Sequence, residues 1–262
     1  SIAGCSTTDH EESFTPTKET IQWIHNYYKD KEYFRFSIDY AFMKTGQITI
    51  ESEEHTIMVN NTPCYKVNVN AQIKGAAGWL TSLNNNYSTY VDTLSLLPVK
   101  FTRDLQENKY LKKEFTLFHR MEEKAVVTDT TRKGQMKIDT FAISHNIQDM
   151  ISAFFLLRNA DFDRLPIGDT LTIDVFMENT SYNIKVKYLG KEKVKSKFAK
   201  KGKVDAFIIA PLIPSDGLLA SEHPVKAWIT DDEQKIPLKI QLKLVVGAVS
   251  MELQEYTQKL LY

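Results

Sequence analysis

Three side chains near the middle of the chain have the residue types that nucleophilic catalysis uses. His145, Asp149 and Ser152 are spaced i, i+4 and i+7, so a helix would place them on one face. A catalytic triad needs its nucleophile, base and orienting group within hydrogen-bond reach at one cavity. A helix start accounts for the same residues, because Asp149 suits the positive end of the helix dipole and Ser152 packs closely. We therefore predict no catalytic residue and no enzymatic activity.

The sequence also offers little for binding a metal or a cofactor. Asp231-Asp232-Glu233 could suggest calcium, but the run lacks the glycine and the spaced carboxylates of a calcium loop. We interpret it as a polar hairpin turn. The six histidines have no metal-ligand spacing, and no phosphate-binding or dinucleotide-binding motif is present. The sequence predicts no metal and no cofactor.

Cys5 has the clearest chemical assignment, as a site of lipid attachment. It ends the run Ile2-Ala3-Gly4-Cys5, and an aliphatic residue with two small residues before a cysteine is typical of a bacterial lipobox. The motif predicts a signal peptide upstream and a diacylated cysteine. Two acyl chains would hold the protein stably at a membrane. We assign residues 1–16 to a disordered tether and residues 17–262 to a single β-rich domain. The alternatives are an ordinary cysteine in a frayed terminus, or a disulfide with Cys64.

Composition argues against nucleic-acid binding and against a membrane-spanning segment. The chain has 262 residues, 42% of them hydrophobic and 25% charged, which is typical of a globular protein. Thirty-three basic and 33 acidic residues cancel, so the basic footprint of a nucleic-acid-binding protein is missing. No apolar run reaches the length of a membrane span. We expect an exported protein of the periplasm or outer membrane, attached to the membrane by its lipid anchor alone.

Apolar periodicity predicts the elements that must position any site. Alternation over Tyr33–Tyr40 and Cys64–Ile73 indicates strands, and the chain as a whole predicts about a dozen of them. A short helix is predicted over Thr17–Tyr28. The main helix is predicted over Ile147–Arg158, with Asn146 or Ser144 as its N-cap. The predicted fold class is all-β to α+β: a strongly curved antiparallel sheet or open β-barrel with one main helix packed against it.

Several apolar residues outside the clear strands are candidates for contacting a ligand. The loop over Ile213–Ala220 carries two adjacent leucines beside a glycine, so it could act as a lid over an apolar cavity. The alternative is that the leucines pack into the core. The candidate ligand-binding residues are Trp79, Phe154, Phe155, Leu218, Leu219 and Trp228.

A lysine-rich stretch follows in the second half of the chain. The range 185–203 holds nine lysines and one acid. Because Lys191, Lys193, Lys195 and Lys197 alternate, they indicate the solvated face of a strand, where lysines also discourage pairing with other chains. The alternative is contact with an anionic membrane surface.

Short motifs in a fixed order carry a resemblance to a known family. They lie in Tyr87–Asp92 with Leu97-Pro98, Asn146–Arg158, Gly168-Asp169, Tyr188–Glu192, and Trp228–Asp232 before Ile236–Leu238. Over about residues 30 to 256 the chain resembles the bacterial family named domain of unknown function 3108. The resemblance implies an exported protein or lipoprotein. It implies no activity, cofactor or catalytic residue.

These observations lead to one functional hypothesis and two alternatives. We expect a non-catalytic envelope binding or carrier module for an apolar or amphipathic ligand, such as a lipid, lipoprotein or glycan, held in the concavity of the sheet. The first alternative is an assembly or structural protein that binds another envelope protein. The second is an enzyme that acts on envelope glycan or lipid.

Overall fold

The described residues form one sheet of sixteen strands. The structure, a computed structural model, describes residues 11–13, 27–41, 43–74, 82–130, 134–198, 202–212, 224–245 and 247–258. The strands are β1 (Glu11–Ser13), β2 (Glu32–Tyr40), β3 (Met43–Ser52), β4 (Ile57–Val59), β5 (Thr62–Ile73), β6 (Leu83–Asp92), β7 (Pro98–Glu107), β8 (Tyr110–His119), β9 (Lys124–Thr130), β10 (Met136–Ala142), β11 (Thr170–Met177), β12 (Thr180–Lys195), β13 (Lys203–Pro211), β14 (Val225–Thr230), β15 (Pro237–Lys243) and β16 (Ala248–Gln258). They are joined by α1 (Met150–Arg158) and a 3-10 turn at Arg120–Glu122.

Neighbouring strands are antiparallel, with one short exception. The order along the sheet is β1-β11-β12-β13-β14-β15-β16-β2-β3-β5-β6-β7-β8-β9-β10, and β4 pairs with β5. The exception is β1, which lies within the predicted tether and pairs in parallel with Thr170–Thr172 of β11. Of the helix predicted over Thr17–Tyr28, residues 17–26 lie outside the described part, and residues 27–29 are helical.

Alternation along each strand separates a dry face from a wet one. On β5, Val67 is fully buried, whereas Asn70 lies on the opposite face and its amide donates to Asn84 and Asn86 at 2.9 and 2.8 Å. Such period-two patterns bury one side of a sheet and leave the other to water. The sheet therefore curves around a single apolar interior, which confirms the predicted fold class.

The two ends of the curved sheet approach each other without joining into a closed barrel. Gln148 forms a parallel bridge with Val175 of β11, and the Ser181 hydroxyl of β12 donates to the Ala142 carbonyl of β10 at 3.3 Å. Arg103 of β7 bonds Glu178, in the turn between β11 and β12. Polar contacts thus hold the seam where the backbone ladder is interrupted.

Helix α1 fills the interior of the curve. On one side, Ile151 and Phe155 pack with Val67 and Val91, and on the other side Leu157 packs against the cluster around Phe207. A helix with apolar contacts on both sides belongs in a core. The prediction of one main helix packed against the sheet is confirmed.

The predicted start of this helix was wrong by three residues, and so was its predicted N-cap. The helix begins at Met150, and its N-cap is Asp149 rather than Asn146 or Ser144. The backbone of Gln148 exchanges hydrogen bonds with β11 through Asp174 and Phe176, each at 2.8 Å. Because that exchange keeps the chain extended through residue 148, the helix cannot begin earlier.

A buried ion pair fixes the other end of α1. The Arg158 guanidinium donates to both carboxylate oxygens of Glu32 on β2, at 2.7 and 2.8 Å, and neither side chain has exposed surface. Its remaining bonds go to the carbonyls of Gln234 and Lys235, at 2.8 and 2.9 Å. The Tyr256 hydroxyl donates to Glu32 at 3.0 Å. Described residues therefore accept four hydrogen bonds from the guanidinium, and both carboxylate oxygens of Glu32 are bonded.

Aromatic rings surround this pair. The centre of the guanidinium lies 4.2 Å from the ring centroid of Tyr27 and 5.1 Å from that of Phe34. Phe154 and Phe155 lie at 5.9 and 5.6 Å. Cations over aromatic faces gain electrostatic stabilisation, especially where water is excluded. Burial raises the pKa of the Tyr27 hydroxyl to about 12, so this ring stays neutral beside the pair.

We predict that Glu32→Gln destabilises the protein by about 3–5 kcal/mol, because it leaves the Arg158 charge buried without its counter-ion. The matched control is Glu255→Gln, which breaks the exposed pair that Glu255 of β16 forms with Arg35, on the same strand as Glu32. Its cost should stay below about 1 kcal/mol. Urea unfolding followed by tryptophan fluorescence measures both, and equal costs would contradict the assignment.

Candidate ligand-binding cleft

The described surface contains an open cleft of about 400 Å³ at the far end of the β12–β13 hairpin. The hairpin end forms one wall, and strands β15 and β16 form the other. The lining residues are Val194, Lys195, Ser196, Lys197, Phe198, Leu238, Lys239, Glu252, Leu253 and Gln254.

A bulge in β12 sets the direction of the hairpin end that lines the cleft. The pairing with β13 shifts between Tyr188 and Gly190, and such a bulge bends its strand and increases the local twist. Gly190 has a φ of 102°, and a Cβ there would lie 3.3 Å from Cδ1 of Ile167. Glycine therefore suits the position on both conformational and steric grounds. Beyond the bulge, the Ser196 N–H donates to the Gly202 carbonyl at 3.1 Å and closes the hairpin.

The cleft combines an apolar floor with a cationic rim. Leu238 and Leu253 belong to a buried cluster, and Val194 packs against it. Phe198 is 39% exposed at the entrance, with the Lys197 ammonium 5.3 Å from its ring centroid. This arrangement suits a molecule that has both an apolar part and a charged part.

Two of the lysines towards the end of β12 form ion pairs. Lys191 bonds Asp163 and Asp231 at 2.6 and 2.7 Å, and Lys193 bonds Asp205 at 3.0 Å. Among the described residues, no carboxylate forms an ion pair with Lys195 or Lys197. The third lysine of the rim, Lys239, pairs with Glu252 at 3.4 Å. The rim therefore carries positive charge that an anionic group could neutralise.

Trp228, predicted to contact a ligand, lies next to the cleft rather than in its lining. It is half-buried on β14, and its indole N–H donates to Glu192. The Lys239 ammonium of the rim lies 5.7 Å from its ring centroid.

The other predicted contacts lie elsewhere. Phe154 and Phe155 are in the aromatic group around Arg158, where Phe155 is fully buried and stacks on Tyr28 at 4.8 Å. Contact between these rings and a ligand stays a prediction. The remaining predicted site residues fall outside the described part of the chain, and they are Cys5, Trp79, Leu218 and Leu219.

Sequence reasoning missed the cleft itself. Val194, Leu238 and Leu253 each occur in an ordinary strand pattern, and they meet only because three distant strands are neighbours in space. The lysine-rich stretch was the one available signal. Its alternation correctly indicated a strand at Lys191, Lys193 and Lys195, but β12 ends before Lys197, and the pattern did not show which lysines lack counter-ions.

A second cleft, of about 360 Å³, lies beside the end of α1 and has acidic walls. The Asp232 carboxylate there accepts from the Gln234 and Lys235 amides at 3.0 and 3.1 Å and from the Thr230 hydroxyl at 2.7 Å. Asp231 is paired with Lys191. These contacts confirm the predicted polar turn. No group of three metal-ligating side chains occurs within the described ranges.

Comparison with known families identifies the chain. The sequence model of a family described as "Protein of unknown function (DUF3108)" matches residues 35–254. This protein belongs to the DUF3108 family. The resemblance found in the sequence, over about residues 30 to 256, is thereby confirmed. None of the curated proteins compared with the chain matches it.

Solved structures support the fold of this DUF3108 protein. A β-barrel-like protein of domain of unknown function DUF1849 from Brucella abortus aligns with a TM-score of 0.56 and 10% identity, over 87% of this chain and 98% of that one. At this identity the match shows a shared fold and no more. The complex of MucA with MucB from Pseudomonas aeruginosa aligns over 93% and 100% of the two chains at 8% identity, but its TM-score of 0.13 carries no argument.

The catalytic alternative for the DUF3108 protein centred on Asp149, which the structure places in a helix cap. Its carboxylate accepts from the amides of Ile151 and Ser152, both at 2.8 Å, and from the Thr89 hydroxyl of β6. The Ser152 hydroxyl accepts from the Asp149 amide at 2.9 Å. His145 is exposed and makes no side-chain contact with this network. The helix-start interpretation of these residues is confirmed.

Burial raises the pKa of Asp149 to about 6, and its hydrogen bonds from Thr89 and the helix amides offset part of that rise. A carboxyl whose pKa is raised on folding stabilises the fold when protonated. That stability is full below the ordinary aspartate pKa of about 4 and is lost as the pH rises to about 6.

We predict that Asp149→Asn abolishes the loss of folding stability as the pH rises to about 6. A neutral asparagine still caps the helix but does not ionise. Relative to the unsubstituted protein, the variant should gain up to about 3 kcal/mol between pH 4 and pH 7.5. Urea unfolding at the two pH values measures the change. A second neutral cap, Asp149→Ser, should flatten the profile in the same way. If both variants keep the original pH slope, Asp149 does not titrate as inferred.

Proposed function

We propose that this protein is a non-catalytic binding protein of the bacterial cell envelope, and that its ligand is amphipathic, with an apolar chain and an anionic head group. The observation that supports this is the cleft at the end of the β12–β13 hairpin. Apolar side chains and lysines without counter-ions meet there in one concavity. Lipids and the acyl groups of lipoproteins have this chemistry, whereas a glycan without an apolar part fits it less well.

The dimensions of the cleft agree with such a ligand. Small-molecule sites usually enclose about 300–1,000 Å³, and this cleft holds about 400 Å³. Each methylene that it removes from water contributes about 0.8 kcal/mol. An exposed lysine adds at most about 1 kcal/mol towards an anion. Affinity would therefore come mainly from the chain, and selection of the head group from Lys195 and Lys197.

The envelope location rests on the N-terminal motif. A lipid on Cys5 would hold the domain beside a membrane, in the periplasm or at the outer membrane, where amphipathic molecules are concentrated. None of the described helices is long and apolar enough to cross a membrane. In this proposal the acyl anchor alone attaches the protein.

The head-group preference can be tested with two probes of equal chain length, dodecanoate and uncharged dodecanol. The double variant Lys195→Gln, Lys197→Gln should bind dodecanoate about tenfold more weakly, because the carboxylate loses two ammonium neighbours. Its affinity for dodecanol should stay unchanged. Calorimetric titration below the micellar concentration measures both affinities.

Lys193→Gln is the matched control, since Lys193 is on the same strand but is paired with Asp205 and does not line the cleft. It should bind both probes as the unsubstituted protein does. Failure of dodecanoate to bind, or equal weakening by the control, would overturn the assignment of the cleft. Native mass spectrometry of protein purified gently from its own envelope would then show whether any other ligand is carried.

The anchor is tested separately. Expressed from its complete gene in its own bacterium, the protein should incorporate labelled palmitate and partition into the membrane fraction. Cys5→Ser should lose both properties, because the cysteine thiol is the only proposed acceptor of the lipid. Cys64→Ser, which changes the buried cysteine of β5, is the control and should remain labelled. Unlabelled protein would rule out the lipid anchor without affecting the cleft.

A further inference from the structure

Strand β10 is an edge of the sheet and pairs only with β9 among the described strands. Just beyond its end, the Ile143 N–H donates to the Glu123 carbonyl at 2.9 Å. Hydrogen-bonded and non-bonded positions alternate in an antiparallel pair. The backbone groups of Met136, Ile138 and Thr140 therefore point away from β9. No hydrogen bond from another described residue satisfies them.

The outward backbone groups of β10 could hydrogen-bond to an additional strand as far as the seam of the sheet. At Ala142 the corresponding carbonyl accepts from the Ser181 hydroxyl at 3.3 Å, so the seam occupies that end of the strand. Before it, no described strand other than β9 pairs with β10 from Met136 to Thr140. The side chains of Met136 and Ile138 are 66% and 60% exposed, on the face opposite α1. An open edge with exposed apolar side chains is a template for adding another strand.

The charges on β10 indicate what that strand would be. Lys137 and Asp139 flank Ile138, and they pair with each other at 2.7 Å within the strand. A two-fold axis at Ile138 would place Lys137 of each copy opposite Asp139 of the other. An edge lysine normally discourages pairing, because it meets another lysine or loses its hydration. Here the same strand supplies the opposite charge at the matching position, so its own copy is complementary.

We propose that two copies of this chain associate through β10, antiparallel about a two-fold axis at Ile138, so that one sheet continues into the other. Ile138 exchanges backbone hydrogen bonds with Ile138 of the second copy, and Met136 pairs with Thr140 of the second copy. The exposed Met136 and Ile138 side chains of both copies then form one apolar patch. Such an interface is isologous, since the same strand serves both sides.

Sedimentation velocity of the 262-residue chain over a concentration series tests this, in reducing buffer so that Cys5 cannot link two copies. The unsubstituted chain should show a reversible dimer. Lys137→Asp and Asp139→Lys each place like charges opposite one another, and each should raise the dimer dissociation constant about tenfold or more. A chain that stays monomeric at its highest soluble concentration would overturn the proposal.

Mixing the two single variants tests the register. In a mixed pair, each new charge meets its opposite, so the heterodimer should form where neither variant dimerises alone. The double variant Lys137→Asp, Asp139→Lys should also recover the dimer. A dimer that tolerates both single reversals must use another surface and contradicts the proposal. None of these changes touches the cleft residues, so the outcome is independent of the proposed ligand.

Discussion

The ion pair between Arg158 and Glu32 is the interaction on which the interior depends. Two charges without exposed surface are costly to remove from water, and their mutual attraction repays that cost only when every donor and acceptor is bonded. Here the carboxylate accepts from the guanidinium and from a tyrosine hydroxyl, and two backbone carbonyls each accept one further N–H of Arg158. The pair joins α1, β2 and the turn before β15, and β16 contributes Tyr256. Displacing any of these elements would expose or orphan a charge.

The same pair explains why a short helix can sit inside the sheet. Nine residues are too few for a helix that is stable on its own, so α1 must be stabilised by its contacts. Its apolar sides would tolerate some sliding or rotation, whereas its polar ends would not. Asp149 is bonded to Thr89 of β6 at one end, and Arg158 to Glu32 of β2 at the other. These two contacts fix the position of the helix along the sheet, and the aromatic side chains then pack around it.

The sequence predicted the strands well and the polar interior poorly. Apolar and polar residues alternate along β5, and this signal is local. The buried face of that strand could therefore be recognised without a structure. The predicted main helix even ended at Arg158, as α1 does. Its counter-ion, Glu32, lies 126 residues away, and no local pattern connects the two. For the same reason the cleft residues looked like ordinary strand positions. The predicted N-cap was wrong because a backbone bridge to β11 decided where the helix could begin.

The described residues place helix α1 in the space where a ligand was first expected. The initial hypothesis placed a ligand in the concavity of the sheet, but α1 and the rings around Arg158 occupy the centre of that space. The two proposed interaction sites lie at the margins instead, at the β12–β13 hairpin and at β10, which ends the sheet. At the hairpin, Gly190 permits the bend. Nearer the hairpin end, Lys195 and Lys197 lack the carboxylate partners that Lys191 and Lys193 have among the described residues. At β10, exposed apolar side chains alternate with charges that complement their own copy. Both proposed sites are therefore separate from the buried Arg158–Glu32 pair, since neither site contains a residue of that pair.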